Sequence, residues 1–279
     1  MLRSLYSGIS GLRVHQTMMD VTGNNIANVN TTGFKGSQTV FQDTLSQMMQ
    51  AAGAPQTGTP GAGGTNPAQV GLGVRLAGVQ TNFGQGAAQT TGRNLDLMVQ
   101  GDGFFAVQKG TEQLYTRSGA FNFDANGAMV TTDGNFVLGW NAATGNVPVP
   151  PTGAPEPIML PGDVESFTIS PDGSLVGVLA DGTKRTFAQV SMANFVNPGG
   201  LEKAGGSTYR ATVNSGDATI GTAGTGGMGA LQTGALEMSN VDLGQEFTNL
   251  IIAQRGFQAN TKVISTSDEL LNDLVNLKR

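Results

Sequence analysis

Few residues in this chain have the type and spacing for covalent chemistry. There is no cysteine and only one histidine, His15. Disulfides, thiolate metal sites, cysteine nucleophiles and histidine clusters are therefore excluded. His15 sits one residue off an apolar stripe with no second ligand or triad partner signalled, so a polar flank of a packed helix is expected. Gly224-Thr-Gly226-Gly-Met-Gly229 matches the GxGxxG dinucleotide pattern, with Glu246 where a ribose-binding acid would fall. No apolar strand precedes the motif and no helix opens directly on it, so it reads as a mobile linker. Asp124-Ala-Asn-Gly127 has the start of a calcium loop, but Ala128 and Met129 follow where ligand and glycine positions belong, so a hairpin turn is expected. No GxxxxGK[ST] phosphate loop occurs, and no carboxylate pair is marked by its surroundings. The sequence gives no reason to expect a catalytic, cofactor or metal site.

The chemistry that remains is burial. Leu2, Leu5, Ile9, Leu12 and Met19 recur on alternating three- and four-residue steps, interrupted by Gln16. Leu243, Phe247, Leu250, Phe257, Ile264, Leu271 and Val275 keep the same step, with Gln254, Thr261 and Asp268 as polar members. That spacing places each set on one side of a helix, the pattern of a pairing seam. One reading is a helical hairpin closed within the chain. The other is a surface kept for further copies. Ile251, Ile252, Val263, Leu270, Leu274 and Leu277 give the second helix another apolar edge, which favours the further copies.

The elements that carry these stripes follow from the breakers. All 11 prolines lie between Pro55 and Pro198, leaving both ends free to form helices. The first helix is expected from residue 3 to about residue 28. Gly8, Gly11 and Gly23 would weaken it by about 1 kcal/mol each, so packing must hold it. Residues 24–37, rich in asparagine and glycine, read as a shaped turn. Val40–Met49 reads as a strand or short helix, and residues 51–69 as a flexible loop or extended arm. The last helix is expected to start near Ser239 or Asn240, with Ser239 and Asp242 forming a capping box, and to run almost to Arg279.

Between the ends the pattern is β. Glycine fills 42 of 279 positions, roughly twice its usual share of about 7%, which suits many tight turns. Asp124–Gly127, Asp133-Gly134, Asp172-Gly173 and Asp181-Gly182 separate short apolar runs as hairpin turns do. The expected fold class is α+β: terminal helices that pair, with a mainly antiparallel β-domain between them. The expected division is 1–35 for the N-terminal helical part and 36–70 for a connecting arm. The β-rich domain would take 71–236 and the C-terminal helical part 237–279. A net charge of −5 with scattered Lys and Arg argues against nucleic acid. No run of ~18 apolar residues spans a membrane. The N-terminus lacks the apolar core of a secretory signal, so any export is expected without a cleaved signal peptide.

The residues 1–37, MLRSLYSGISGLRVHQTMMDVTGNNIANVNTTGFKGS, resemble the N-terminal signature of bacterial flagellar rod and hook proteins. Residues 234–279 resemble their C-terminal signature, and TTGRNLDLMVQGDGFF (90–105) with YTRSGAFNFDANGAMV (115–130) resembles their interior motif. Within the family, the SNVDL, EFTNLI and QRGFQAN segments look most like a hook subunit of short form. The length also approaches that of a distal rod subunit. The resemblance implies that the terminal helices pair as a coiled-coil inner domain and that the β-rich part is the outer domain. It also implies an open helical homopolymer outside the cell, in the hook or basal body, exported by the flagellar type III apparatus. Rod, hook-cap and hook–filament junction proteins would be its partners. The hook, a flexible torque-transmitting joint, is the first expectation, and the distal rod is the alternative. By the same resemblance Asn24, Asn25, Asn28, Asn30, Gly33 and Phe34 join the two stripes and Ile251 in the assembly surface. A secreted β-rich binding protein or adhesin is the reading from a different class.

Overall fold

Helix α2 (Leu243–Asn276) begins where Asp242 supplies a cap. The Asp242 carboxylate accepts the Gly244 and Gln245 amides at 2.8 and 3.3 Å, satisfying two of the donors that a helix start leaves open. Asp242 thus caps the helix by itself, and the capping box expected from Ser239 and Asp242 is not formed. Helix α1 spans Leu2–Ala27. The computed structural model describes residues 2–55, 63–142 and 153–276, apart from the side chains of Leu2 and Leu274. Leu277, the last of the expected second edge, lies outside them.

The described residues divide into two units. The first holds residues 1–27, 37–81 and 242–279; the second holds 28–36 and 82–241. These boundaries fall at different places from the expected 35, 70 and 236. The main reason is that 37–81 is not a loop arm. Strand β1 (Ser37–Asp43) pairs with β4 (Val74–Thr81), and β2 (Ser46–Gln50) with β3 (Ala68–Gly71), both antiparallel. Together they form a two-stranded ribbon, with an isolated Gly53–Thr65 bridge further out. The loop reading rested on residues 51–69, where almost no large apolar side chain occurs. The flanking stretches carry apolar residues such as Phe41, Leu45, Leu76 and Val79 and close the ladder. Residues 56–62, the middle of the expected loop, lie outside the described residues.

The second unit is a β-domain in which every strand pairing is antiparallel. Its main sheet runs from Val164–Ile169 through Ser174–Leu179, Lys184–Val190, Phe136–Asn141, Phe104–Lys109, Glu112–Thr116 and Thr208–Arg210 to Glu202–Gly205. Period-two alternation buries both faces. Phe105 and Val107 enter one core with Leu97, Phe121, Met129 and Ile158, while Phe104 and Ala106 enter another with Tyr115, Leu138, Phe195 and Tyr209. The Asp-Gly turns form as expected. Gly173 and Gly182 have φ of 83° and 78°, and the preceding aspartates accept the Ser174 and Thr183 groups. Leu97–Gln100 pairs with Ala230–Thr233. One reading needs correction. The Gly224–Gly229 segment is an ordered turn, not a mobile linker. The Gly229 amide donates to the Asp102 carbonyl at 2.7 Å, and Ala223 and Met228 reach the core.

Candidate assembly surface

In the first unit, α1 and α2 run antiparallel. Ser4 meets Ser267, Gly8 faces Ile264, Gly11 faces Asn260, His15 packs on Gly256, and Asn25 bonds Glu246. Residue i of α1 thus lies level with residue ~271 − i of α2. This seam is built mainly from small and polar residues, and of the apolar stripes Ile264 reaches it. A Cβ on Gly11 would stand 2.5 Å from Asn260 Oδ1, and one on Gly8 would stand 3.2 Å from Ile264. The glycines that lower helix propensity are therefore the ones that let the helices approach.

Asn25 anchors the end of the seam and is buried. Its amide donates to the Ser37 carbonyl at 2.8 Å and accepts the Ser37 amide at 3.0 Å, acting as a ladder partner where β1 starts. The same Nδ2 lies 3.1 Å from Glu246 Oε1. One side chain therefore ties α1, β1 and α2 together.

What this seam leaves outside is apolar. Ile9, Leu243, Phe247, Ile251 and Val275 are exposed, Phe247 at 50% and Val275 at 69%. Leu5, Leu12, Met19, Leu250, Phe257, Ile264 and Leu271 are half-buried, as residues flanking a seam are. Tyr6 is 70% exposed, and the ribbon adds Leu45, Met48, Met49, Val70 and Leu72. Among the described apolar side chains of this unit, only Val14 and Ala253 are buried. A soluble monomer rarely exposes so much contiguous apolar surface, and such patches mark interaction sites.

The expected turn residues divide. Asn24 and Asn30 are exposed, and Asn28 is half-buried, its side chain accepting from Thr31 Oγ1 at 3.1 Å. Asn25 and Gly33 are buried within the chain, so neither offers a docking surface as expected. Gly33, at φ 69°, lies against the Arg117–Ser118 backbone and donates to the Glu237 carbonyl. Phe34 is half-buried and already occupied, with the Lys203 ammonium 5.0 Å from its ring centre.

The second unit holds an ionic cluster that sequence reading missed. Lys35, fully buried, donates to Glu237 Oε1 at 2.5 Å and to the Gly84 carbonyl at 2.9 Å. Gly86 donates to the same carboxylate oxygen, and Arg117 approaches its other oxygen at 3.5 Å. Burial pushes the Lys35 ammonium below its ordinary pKa, and the Glu237 charge opposes that shift. Burial likewise lowers Arg117. The cluster fastens residues 33–36 to the strand Ala235–Glu237. Its members lie too far apart in sequence for any spacing signal.

Three family models match. Residues 5–35 match the flagella basal body rod protein, 98–177 the D1 domain of the flagellar hook protein FlgE/F/G, and 232–277 the C-terminal part of the flagellar basal body rod FlgEFG protein. The chain is 48% identical to the flagellar basal-body rod protein FlgG of Bacillus subtilis over 280 positions, covering all of both chains. It is 37% identical to FlgG of Borreliella burgdorferi over 283 positions, again covering both. The flagellar hook protein FlgE of Borreliella burgdorferi is 30% identical, across an alignment stretched to 444 positions.

Proposed function

Because this chain belongs to the flagellar rod and hook protein family, we propose that it is a rod subunit of the flagellar basal body, polymerising through its terminal helices and ribbon into a straight drive shaft. The observation that carries self-assembly is the first unit's composition. Its helices pair through small and polar residues while nearly all of its large apolar side chains stay at the surface. Each such Leu or Phe yields ~1.5–3 kcal/mol when buried, so a dozen closing against neighbouring copies would hold a polymer without a cofactor.

Rod is preferred over the hook first expected. Equal length and 48% identity to a rod protein support it, whereas the hook proteins align only across gaps far longer than any loop described here. The hook expectation rested on terminal motifs shared by both kinds of subunit. Export by the type III apparatus and contacts with rod, hook-cap or junction proteins remain part of this proposal. Electron microscopy of assembled full-length chain provides the test. Straight, stiff tubes are expected. Curved, supercoiled tubes would restore the hook reading, and a chain that stays monomeric at high concentration would sink both.

A further inference from the structure

The helix register leaves α2 longer than its partner. Leu2 of α1 lies level with residue ~269, so Leu270–Asn276, about 10 Å of helix, passes beyond the described part of α1. This overhang and the turn before it are apolar and acidic. Leu270 and Val275 are 56% and 69% exposed, beside Asp268, Glu269 and Asp273, none of which has an ion pair among the described residues. On the same unit, a groove of about 530 Å³ opens between α1 and β4. Tyr6, Ile9 and Leu76 give it an apolar wall, and Arg13 and Arg75 line it with positive charge. Neither arginine has a carboxylate within salt-bridge distance among the described residues; Arg75 reaches only the Gln42 amide oxygen at 3.0 Å.

We infer that the acidic overhang of α2 in one copy seats in the arginine-lined groove between α1 and β4 of the next copy. The two patches are opposite in charge and both offer apolar surface. The groove centre, near Ser10, is level with residue ~261, so a chain's own overhang starts about two and a half turns beyond it. Two different complementary patches on one chain make a head-to-tail contact, which propagates rather than closing as a dimer. This inference rests on the polymer reading and names the contact that extends it.

The absence of native cysteine makes the test direct. A full-length Thr17→Cys/Asn272→Cys variant is assembled and treated with a short bis-maleimide. Within one chain these positions are about 27 Å apart along the helix pair, out of reach of each other. A ladder of covalent multimers is expected. Charge reversal by Arg13→Glu with Arg75→Glu should abolish the ladder, and adding Asp268→Lys with Asp273→Lys should restore it. If the parent chain assembles but the cysteine variant gives no ladder, or only dimers, this contact is wrong and the polymer reading stands. If the parent chain does not assemble, both fall.

Discussion

Among single residues, Glu237 has the most depending on it. It faces both Lys35 and Arg117, which are buried, and it also accepts the Gly86 amide, while Asp102 adds a weaker negative field at Arg117. Replacing it with Gln keeps the shape and removes the charge. Breaking such a pair leaves buried cations without compensation, at a cost of about 3–5 kcal/mol. Glu237→Gln should therefore lower the urea midpoint of the β-domain by a corresponding amount, while Glu112→Gln, at an exposed pair with Arg210, should change it little. An unchanged midpoint in Glu237→Gln would show the cluster to be dispensable. The Asp-Gly turns were legible from two adjacent residues because their backbone preference is local. The ionic cluster was not, because Lys35, Arg117 and Glu237 meet only after the sheet has formed.

The helix seam is the decisive feature among the elements. Periodicity identifies which residues share a face, and the stripes at Leu5–Met19 and Leu243–Val275 were read correctly in that sense. It does not say which face the partner occupies. The seam passes through Gly8, Gly11, Gly256 and Ser267 because only small residues let backbones approach this closely, and Asn25 supplies a hydrogen-bonded stop at its end. A larger side chain at Gly11 must displace Asn260. Gly11→Leu is expected to cost about 1–3 kcal/mol of overpacking, lowering helix content by circular dichroism and blocking assembly. The β-domain's own melting transition should be unmoved. Normal assembly by Gly11→Leu would mean that the seam opens when copies join.

The chain as a whole joins a unit with large cores to one with almost none. The ends of the ribbon lie close together, since the Asn82 amide donates to the Gly36 carbonyl at 2.8 Å. Residues 28–36 joined to 82–241 by a few glycines should therefore fold alone as a monomer and unfold in one cooperative step. Broad, non-cooperative melting of that protein would show that the helices or ribbon are needed to complete the core. For the first unit the opposite is expected, because two buried apolar residues cannot offset the entropy of ordering two helices and a ribbon. In the proposed polymer, neighbouring copies would supply its order.

By itself the sequence determined the α+β class, the two terminal helices, the hairpin turns and the absence of any marked chemistry, because these follow from local spacing and backbone preference. It also carried the family signature at both ends. Only the tertiary structure decided that the helices meet through glycines and asparagine, that residues 37–81 form a ribbon, and that Lys35 is neutralised by Glu237. These depend on which surfaces come within contact distance, a property of the folded chain and not of any window along it. The same register left the end of α2 and one edge of the apolar stripes exposed, because backbone approach at the glycines fixes which face of each helix is covered. That exposed edge is the surface proposed for other copies.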